Sequence, residues 1–209
     1  MGHVSSATTA APVRNAFREQ QRREAHERYL LCARTVFERL GYHGATVADI
    51  VEAANGSRAT FYAHFRDKAD IAACLFERAL PAGAAMYHRV AEFPELTREH
   101  MRAWLGEQVL GFWAQYRVEV EAVNHAMGAD PAVAARHYHW IAEAVRLAEW
   151  PGTGERVGLT RATLLVLQLE RLCYHWLVRG VEHDRELMLD ILADVWFREL
   201  TLLREGAPR

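Results

Sequence analysis

The chain has 209 residues, of which 51% are hydrophobic and 25% are charged, so it is long enough for one or two domains with a substantial core and too apolar to be disordered throughout. Its net charge is −2, but residues 1–68 carry ten basic and seven acidic side chains, whereas residues 69–209 carry fifteen and twenty. The net charge is therefore +3 in residues 1–68 and −5 in residues 69–209. This difference is too small to indicate a nucleic-acid partner by itself.

The cysteines and the apolar runs bear on the cellular compartment. Cys32, Cys74 and Cys173 are far apart, and each falls in an apolar helical pattern. We therefore expect reduced core residues of a cytoplasmic protein rather than a zinc site. The amino terminus lacks the order of a signal peptide, and the longest apolar run, residues 162–178, is broken by three polar residues, so no membrane span is expected.

The first 23 residues are predicted to form a flexible basic arm. Residues 1–12 are small, polar and aperiodic, and an arginine-rich stretch follows them. Its basic side chains, which fit either a positively charged lead-in or a solvated helix start, are Arg14, Arg18, Arg22 and Arg23. The first helix is predicted from about Glu24 to Leu40, where apolar residues recur at three- and four-residue steps before a glycine.

Short helices follow. Thr46 and Asp49 have the spacing of a capping box, and the helix that they begin should end near Ala54, because Asn55 and Gly56 both tolerate left-handed backbone angles. The next helix is predicted from a Ser57 cap to about Phe65. A fourth helix should start at an Asp67 cap, run through Ala79 and continue past Pro81 with a kink.

The remainder of the chain has helical periodicity and no convincing strand pattern, so the fold class is all-α. Helices are predicted at about residues 96–116, 118–128, 131–148, 159–180 and 185–204. Asp130 followed by Pro131 is a capping residue before a first-turn proline, and residues 151–158 are rich in turn formers.

Residues 47–65 have the order of a helix-turn-helix, whose second helix lies in the DNA major groove. At 100° per residue, Phe61 and Phe65 share one face and should be buried, while Ala59 and Ala63 project on the other. Small side chains let the backbone approach base edges. The polar residues placed to contact DNA are Arg58 in the first turn, suited to a guanine edge, and Thr60, Tyr62 and His64 on the flanks.

The stretch TVADIVEAANGSRATFYAHFRDKADI, residues 46–71, resembles the DNA-binding signature of the TetR family of transcriptional regulators. The matching positions are Thr46, Ile50, Ser57, Thr60, Phe61, Tyr62, His64, Phe65 and Lys68. In the turn, Asn55-Gly56 replaces the usual glycine and small apolar residue, which removes an apolar anchor. Ala48 falls where some relatives read a base, so that contact is expected to be absent.

The resemblance implies an all-helical homodimer with a three-helix DNA-binding domain at residues 24–68 and a ligand-binding and dimerisation domain at residues 69–209. It implies a near-palindromic duplex operator, a small hydrophobic effector and no cofactor or metal. The implied DNA-binding residues are Ser57, Arg58 and Ala59, of which the latter two meet bases, and Thr46, Thr60, Tyr62, His64 and Lys68, which contact phosphates.

All six tryptophans lie beyond residue 100. Aromatic residues at helical spacing fit a plain core, but together with the intervening small residues they favour a ligand cavity. Residues 169–180 and 189–200 are similar to the last two helices of the subgroup that contains the mycobacterial repressor of ethionamide activation, which has an aromatic-lined tunnel. This resemblance implies that the cavity is lined by Trp104, Phe112 or Trp113, Trp140 and Trp196.

Those two helices are also the usual dimer surface of the family, and their apolar residues fit either a bundle across a two-fold axis or burial within one chain. The residues concerned are Leu165, Leu169, Leu172, Trp176, Leu187, Ile191, Val195 and Leu202. The function predicted is that of a DNA-binding transcriptional regulator, a repressor released by a small apolar ligand.

Two other classes of protein are alternatives to a transcriptional regulator. An enzyme would need a catalytic or nucleotide-binding motif, and none is found; the histidines of the HYH segment at 137–139 point in different directions on a helix, so a shared metal is not expected. A helical small-molecule-binding protein without DNA regulation would show gaps among the DNA-contacting positions.

Overall fold

The computed structural model of the chain describes residues 10–150, 152, 154 and 156–205, and every regular element in them is helical. The helices are α1 (Ala10–Gly44), α2 (Val47–Ala53), α3 (Arg58–Tyr62), α4 (Lys68–Glu77), α5 (Leu80–His88), α6 (Arg98–Trp104), α7 (Leu110–Gln115), α8 (Arg117–Ala129), α9 (Pro131–Leu147), α10 (Arg156–Cys173) and α11 (Arg185–Glu205). A π-helical turn, Leu105–Val109, joins α6 to α7, and another, Tyr174–Val178, extends α10. The all-α fold class is confirmed.

Helix α1 is longer than the sequence predicts. It begins at Ala10 rather than near Glu24, so the part of the predicted flexible arm that the structure describes is helical; residues 1–9 and the side chain of Arg14 lie outside the described part. The side chains from residue 15 to 24 are exposed, and Gln20 donates a hydrogen bond to Glu24 at 2.8 Å. An exposed helical segment buries no face, so its sequence lacks the periodic spacing of apolar residues that predicts a helix.

The predicted caps are formed. Thr46 and Asp49 make the reciprocal capping box of α2, and the Asp67 carboxylate accepts the Asp70 N–H at 2.8 Å to begin α4. Helix α4 ends at Glu77 instead of Ala79, and the predicted kink is a break, after which α5 starts with Pro81 in its first turn. Proline suits that position because a first-turn residue has no intrahelical acceptor for its N–H.

Two buried clusters make up the core. The first cluster contains residues of the four helices from α1 through α4, together with small residues of α8 and α9, among them Ala122, Val123 and Ala126. The second is formed by α5 to α11 and contains most of the tryptophans. Because α8 packs into the first cluster, the two halves of the chain share an interior surface. The predicted domain boundary at residue 68 lies before α4, yet α4 residues such as Leu75 also belong to the first cluster.

The three cysteines are free; Cys173 is buried, and Cys32 and Cys74 are half-buried. Within the described residues, no helix has the length and apolar character needed to cross a bilayer.

Candidate functional site

The turn between α2 and α3 is held by a buried tyrosine of α1. Tyr29 Oη donates a hydrogen bond to the Ser57 carbonyl oxygen at 2.9 Å and accepts one from the Ser57 N–H at 3.2 Å. Asn55 takes the left-handed conformation with φ of 46°, and the Gly56 N–H donates to the Val51 carbonyl oxygen at 3.0 Å. Two backbone groups of the turn are thus fixed by one side chain 28 residues earlier.

Gly56 is required by space rather than by a positive φ. A Cβ at this position would overlap Tyr29 Oη and would lie 2.9 Å from Tyr29 Cζ, closer than packed atoms allow. The sequence predicted a turn with a missing apolar anchor. The structure replaces that anchor by a phenol hydroxyl that fits only against a glycine.

Helix α3 is anchored by Phe61, with Phe65 just beyond its end, and exposes the opposite face. Phe61 is fully buried and Phe65 is 1% exposed, whereas Ala59 and Ala63 are exposed, as the helical wheel predicts. The helix itself ends at Tyr62 rather than near Phe65, because the next residues turn with shorter hydrogen-bond spans, such as His64 N–H to the Phe61 carbonyl oxygen at 2.9 Å.

The start of α3 is capped as predicted. Ser57 Oγ accepts the Thr60 N–H at 3.0 Å and lies 2.8 Å from Thr60 Oγ1, so one of the two hydroxyls keeps a free proton. Arg58 and Tyr62 are exposed beside Ala59, and no described residue accepts a hydrogen bond from their side chains. The exposed face therefore presents a methyl-lined strip with a guanidinium and a phenol beside it.

Two of the predicted phosphate-binding residues are partly engaged within the chain. The Thr46 hydroxyl donates to Asp49 Oδ2 at 2.6 Å, and the hydrogen bonds from Thr46 lower the pKa of Asp49. Lys68 Nζ donates to the carbonyl oxygens of Tyr42 at 2.7 Å and Ala45 at 2.8 Å, which leaves one ammonium N–H for another acceptor. Burial lowers the pKa of Lys68. Its main contact is therefore with the end of α1.

His64 is half-buried beside α1. Burial, followed by the positive charges of His26 and Arg22, lowers its pKa below the ordinary 6.5. At pH 7 the imidazole of the free protein is neutral and offers one N–H donor.

Residues 30–74 match the family model described as bacterial regulatory proteins of the tetR family. The chain carries a TetR-family DNA-binding domain. The match covers the end of α1, both helices of the helix-turn-helix and most of α4. Homodimers and bound small ligands are typical of TetR-family regulators, which are generally not enzymes.

The fold as a whole is similar to that of a solved structure. A crystal structure from Syntrophomonas wolfei str. Goettingen, assigned to the TetR family of transcriptional regulators, is 18% identical with a TM-score of 0.61, covering 89% of this chain and 97% of that one. The fatty acid degradation regulator FadR from Bacillus halodurans is 16% identical with a TM-score of 0.42, covering 88% and 97%. No curated protein sequence matches the chain.

Beyond this TetR-family domain, an apolar cavity of about 70 Å³ lies between α4, α5, α7, α8, α9 and α10. Of the five aromatic residues predicted to surround a cavity, Phe112, Trp113 and Trp140 line it. Trp104 and Trp196 do not. Their rings pack against each other at 4.9 Å, and the Trp104 Nε1–H donates to the Met86 carbonyl oxygen at 2.9 Å, which holds both in the solid core.

Sequence reasoning missed most of the cavity wall, including Phe76, Tyr87, His137 and Glu170. Phe76 looked like one more apolar position of α4, and the histidines of the HYH segment were expected to have a surface or core role rather than to share a metal. His137 is 5% exposed while His139 is exposed, so the two point apart as predicted. An acidic residue within an apolar run, Glu170, was the one signal that the sequence offered.

The apolar residues of α10 and α11 divide between the two predicted roles. Leu165 and Leu169 are buried within the chain. In contrast, Leu164, Leu187 and Ile191 are 61%, 57% and 51% exposed. One stripe of these helices therefore fills the core, and a second remains available at the surface.

Proposed function

We propose that this chain is a sequence-specific transcriptional regulator that binds duplex DNA as a homodimer through α3. We further propose that it is a repressor, released from its operator by a small apolar ligand in the cavity beside α4. The exposed methyl strip of Ala59 and Ala63, on a helix anchored by buried phenylalanines in the segment that matches the TetR family, carries the proposal.

The chemistry of that face suits the major groove. Alanine methyl groups allow close approach to base edges and contact thymine methyl groups, and Arg58 can donate two parallel hydrogen bonds to guanine. Tyr62 and His64, together with the one hydroxyl proton that the Ser57 and Thr60 pair leaves free, surround the strip with donors for phosphate oxygens, and Lys68 adds its remaining ammonium N–H. Thr46 can donate to a phosphate only by giving up its hydrogen bond to Asp49. These eight residues are our proposed DNA-binding set.

A homodimer would supply the second reading helix that a short recognition element needs. The exposed stripe of Leu164, Leu187 and Ile191 supports α10 and α11 as the dimer surface, since apolar patches of this kind mark interaction sites. A two-fold axis there would present two copies of α3 to half-sites of a near-palindromic operator, spaced by about 34–36 Å or a multiple.

Ligand control is supported by the position of the cavity. Phe76 of α4 and Trp140 of α9 line it with ring centroids 5.4 Å apart. One turn away, Arg136 of α9 donates to Asp70 at 3.0 Å and to Glu77 at 2.6 Å, both on α4. A ligand that displaces α9 therefore acts directly on the helix that follows α3, and it releases DNA only by its preference for that displaced state.

Arg58→Ala is expected to relax base preference by about 1–3 kcal/mol at the base pair that Arg58 contacts, because a bidentate contact to guanine is lost. Tyr62→Phe is the matched comparison and should weaken all duplexes alike by about 1 kcal/mol, since it removes one phosphate hydrogen bond. Fluorescence anisotropy at fixed salt, with operator duplexes mutated one base pair at a time, measures both. An unchanged preference in Arg58→Ala would contradict the assignment.

Ligand release is tested by measuring operator affinity with and without small aromatic compounds such as benzyl alcohol. A compound that binds the cavity should lower operator affinity about tenfold or more, within the usual range of coupling. Ala144→Leu, which places extra carbon atoms in the cavity, should remove this effect and keep operator binding. Ligand binding with no change in DNA affinity would favour a small-molecule-binding protein without DNA regulation.

A further inference from the structure

The wall of the cavity contains a carboxylate. Glu170 of α10 lines it together with His137 of α9, and His137 Nε2 lies 2.5 Å from Glu170 Oε1. The side chain of Glu170 is 19% exposed and that of His137 is 6% exposed. The remainder of the wall is almost entirely aromatic and aliphatic.

The hydrogen bonding of His137 shows where the negative charge resides. His137 Nδ1 is buried and has no hydrogen-bond partner among the described residues. An imidazolium would bury an N–H there without an acceptor, which is costly. The neutral ring, with Nε2–H donating to Glu170, avoids this cost and leaves the carboxylate as a net negative charge.

Apart from the neutral His137, no basic side chain in the described part of the chain pairs with Glu170. The two arginines adjacent to the pair in sequence are turned elsewhere, Arg136 to carboxylates of α4 and Arg171 to the face of Tyr174 at 5.4 Å. Burial raises the pKa of Tyr87 and raises that of Cys173 to about 12, and the charge of Glu170 adds to both. Of these two residues, Tyr87 also lines the cavity.

We infer that the cavity takes a small lipophilic ammonium compound, whose N–H groups bind Glu170 and whose apolar body packs on Phe112, Trp113 and Trp140. This inference rests on the proposed function and names its effector class. His137 contacts Glu170 through Oε1, so Oε2 is left to accept a hydrogen bond from a ligand. The aromatic faces attract a cation further, and an anionic ligand would be repelled.

The cavity of about 70 Å³ is smaller than a drug-sized site, which occupies about 300 Å³ or more. It can hold an ammonium head group with few further atoms, so an aromatic ligand has to widen it. Gly83 and Ala84 of α5 are half-buried in the cavity wall and present little side-chain bulk. Displacement of α5 from α9 is the expected route, and a single aromatic ring is the suitable probe.

The test compares benzylammonium, benzyl alcohol and benzoate by isothermal titration with the full-length protein and with E170Q. Benzylammonium should bind the parent about tenfold or more tightly than benzyl alcohol, and benzoate should bind most weakly. E170Q keeps an acceptor for His137, so benzyl alcohol binding should persist while the ammonium preference disappears. E143Q removes an exposed carboxylate of the same chain outside the cavity and should retain the preference.

Equal affinities of benzylammonium and benzyl alcohol for the parent, no detectable benzylammonium binding, or an ammonium preference that survives in E170Q would each overturn the inference. Operator affinity, measured in parallel, distinguishes a failure of the inferred effector class from a failure of the proposed function. Operator release by benzyl alcohol without an ammonium preference contradicts only the effector class. An ammonium preference without operator release contradicts only the ligand-controlled regulation.

Discussion

An Ala59→Glu variant is expected to lose about 100-fold or more of its operator affinity while folding as the parent does. Ala59 is exposed near the start of α3, where a carboxylate interacts favourably with the helix dipole and makes no clash. Against DNA the same side chain places a negative charge in the groove between two phosphate backbones and holds the helix away from the bases. Stability and DNA affinity should therefore separate.

The control for this variant is Ala135→Glu, which adds the same charge at an exposed position of α9, in the other half of the chain. Both variants should have the melting temperature of the parent, and only Ala59→Glu should fail in a salt-controlled anisotropy titration. Retention of parental affinity by Ala59→Glu would show that α3 does not face the duplex and would remove the basis of the proposed DNA interface.

The helices and their caps could largely be predicted because they depend on neighbours in sequence. The Thr46 and Asp49 box, the Ser57 cap and the Asp67 cap each involve residues three apart, and all three form. The burial of Phe61 and Phe65 followed from helical spacing, because residues four apart lie on the same face of a helix. Interactions of this range are visible in a linear chain.

What depends on distant residues could not be predicted. Tyr29 and Ser57 are 28 residues apart, and a tyrosine on an apolar face looks the same whether its hydroxyl is free or bound to a turn. His137 and Glu170 are 33 residues apart on different helices. Among the tryptophans, position in the sequence does not distinguish Trp140, at the cavity, from Trp196, in the core, because both are apolar residues at helical spacing.

The same limitation applies to the relation between the two halves of the chain. Families of this architecture are usually described as two domains, and a boundary near residue 68 follows from motif ends alone. Here Ala122 and Ala126 of α8 are buried against the helices of the amino-terminal half, and Arg34 of α1 donates to Glu119 of α8 at 2.8 Å. Helix α8 is thus packed against the amino-terminal half and is not merely connected to it by a flexible segment. A movement of α8 or α9 therefore changes the surroundings of α4 directly.

Gly56→Ala should lower the free energy of unfolding by about 2–4 kcal/mol and weaken binding to every duplex. The added Cβ cannot coexist with Tyr29 Oη, so either the tyrosine leaves its site or the turn shifts, and both hydrogen bonds to Ser57 are lost in either case. The orientation of α3 then becomes variable, which weakens contacts to bases and phosphates together. Urea denaturation and operator titration measure the two effects.

Gly128→Ala in α8 is the matched control, because a Cβ there meets no atom within 4 Å and alanine favours a helix. It should be neutral or stabilise the chain by up to about 1 kcal/mol. A Tyr29→Phe change made in the Gly56→Ala background removes the overlapping hydroxyl but leaves Cζ 2.9 Å from the new Cβ, so the double variant should lose less than the sum of its single changes. Strict additivity would mean that Tyr29 and Gly56 do not meet, and the turn would then have to be held by its own backbone alone.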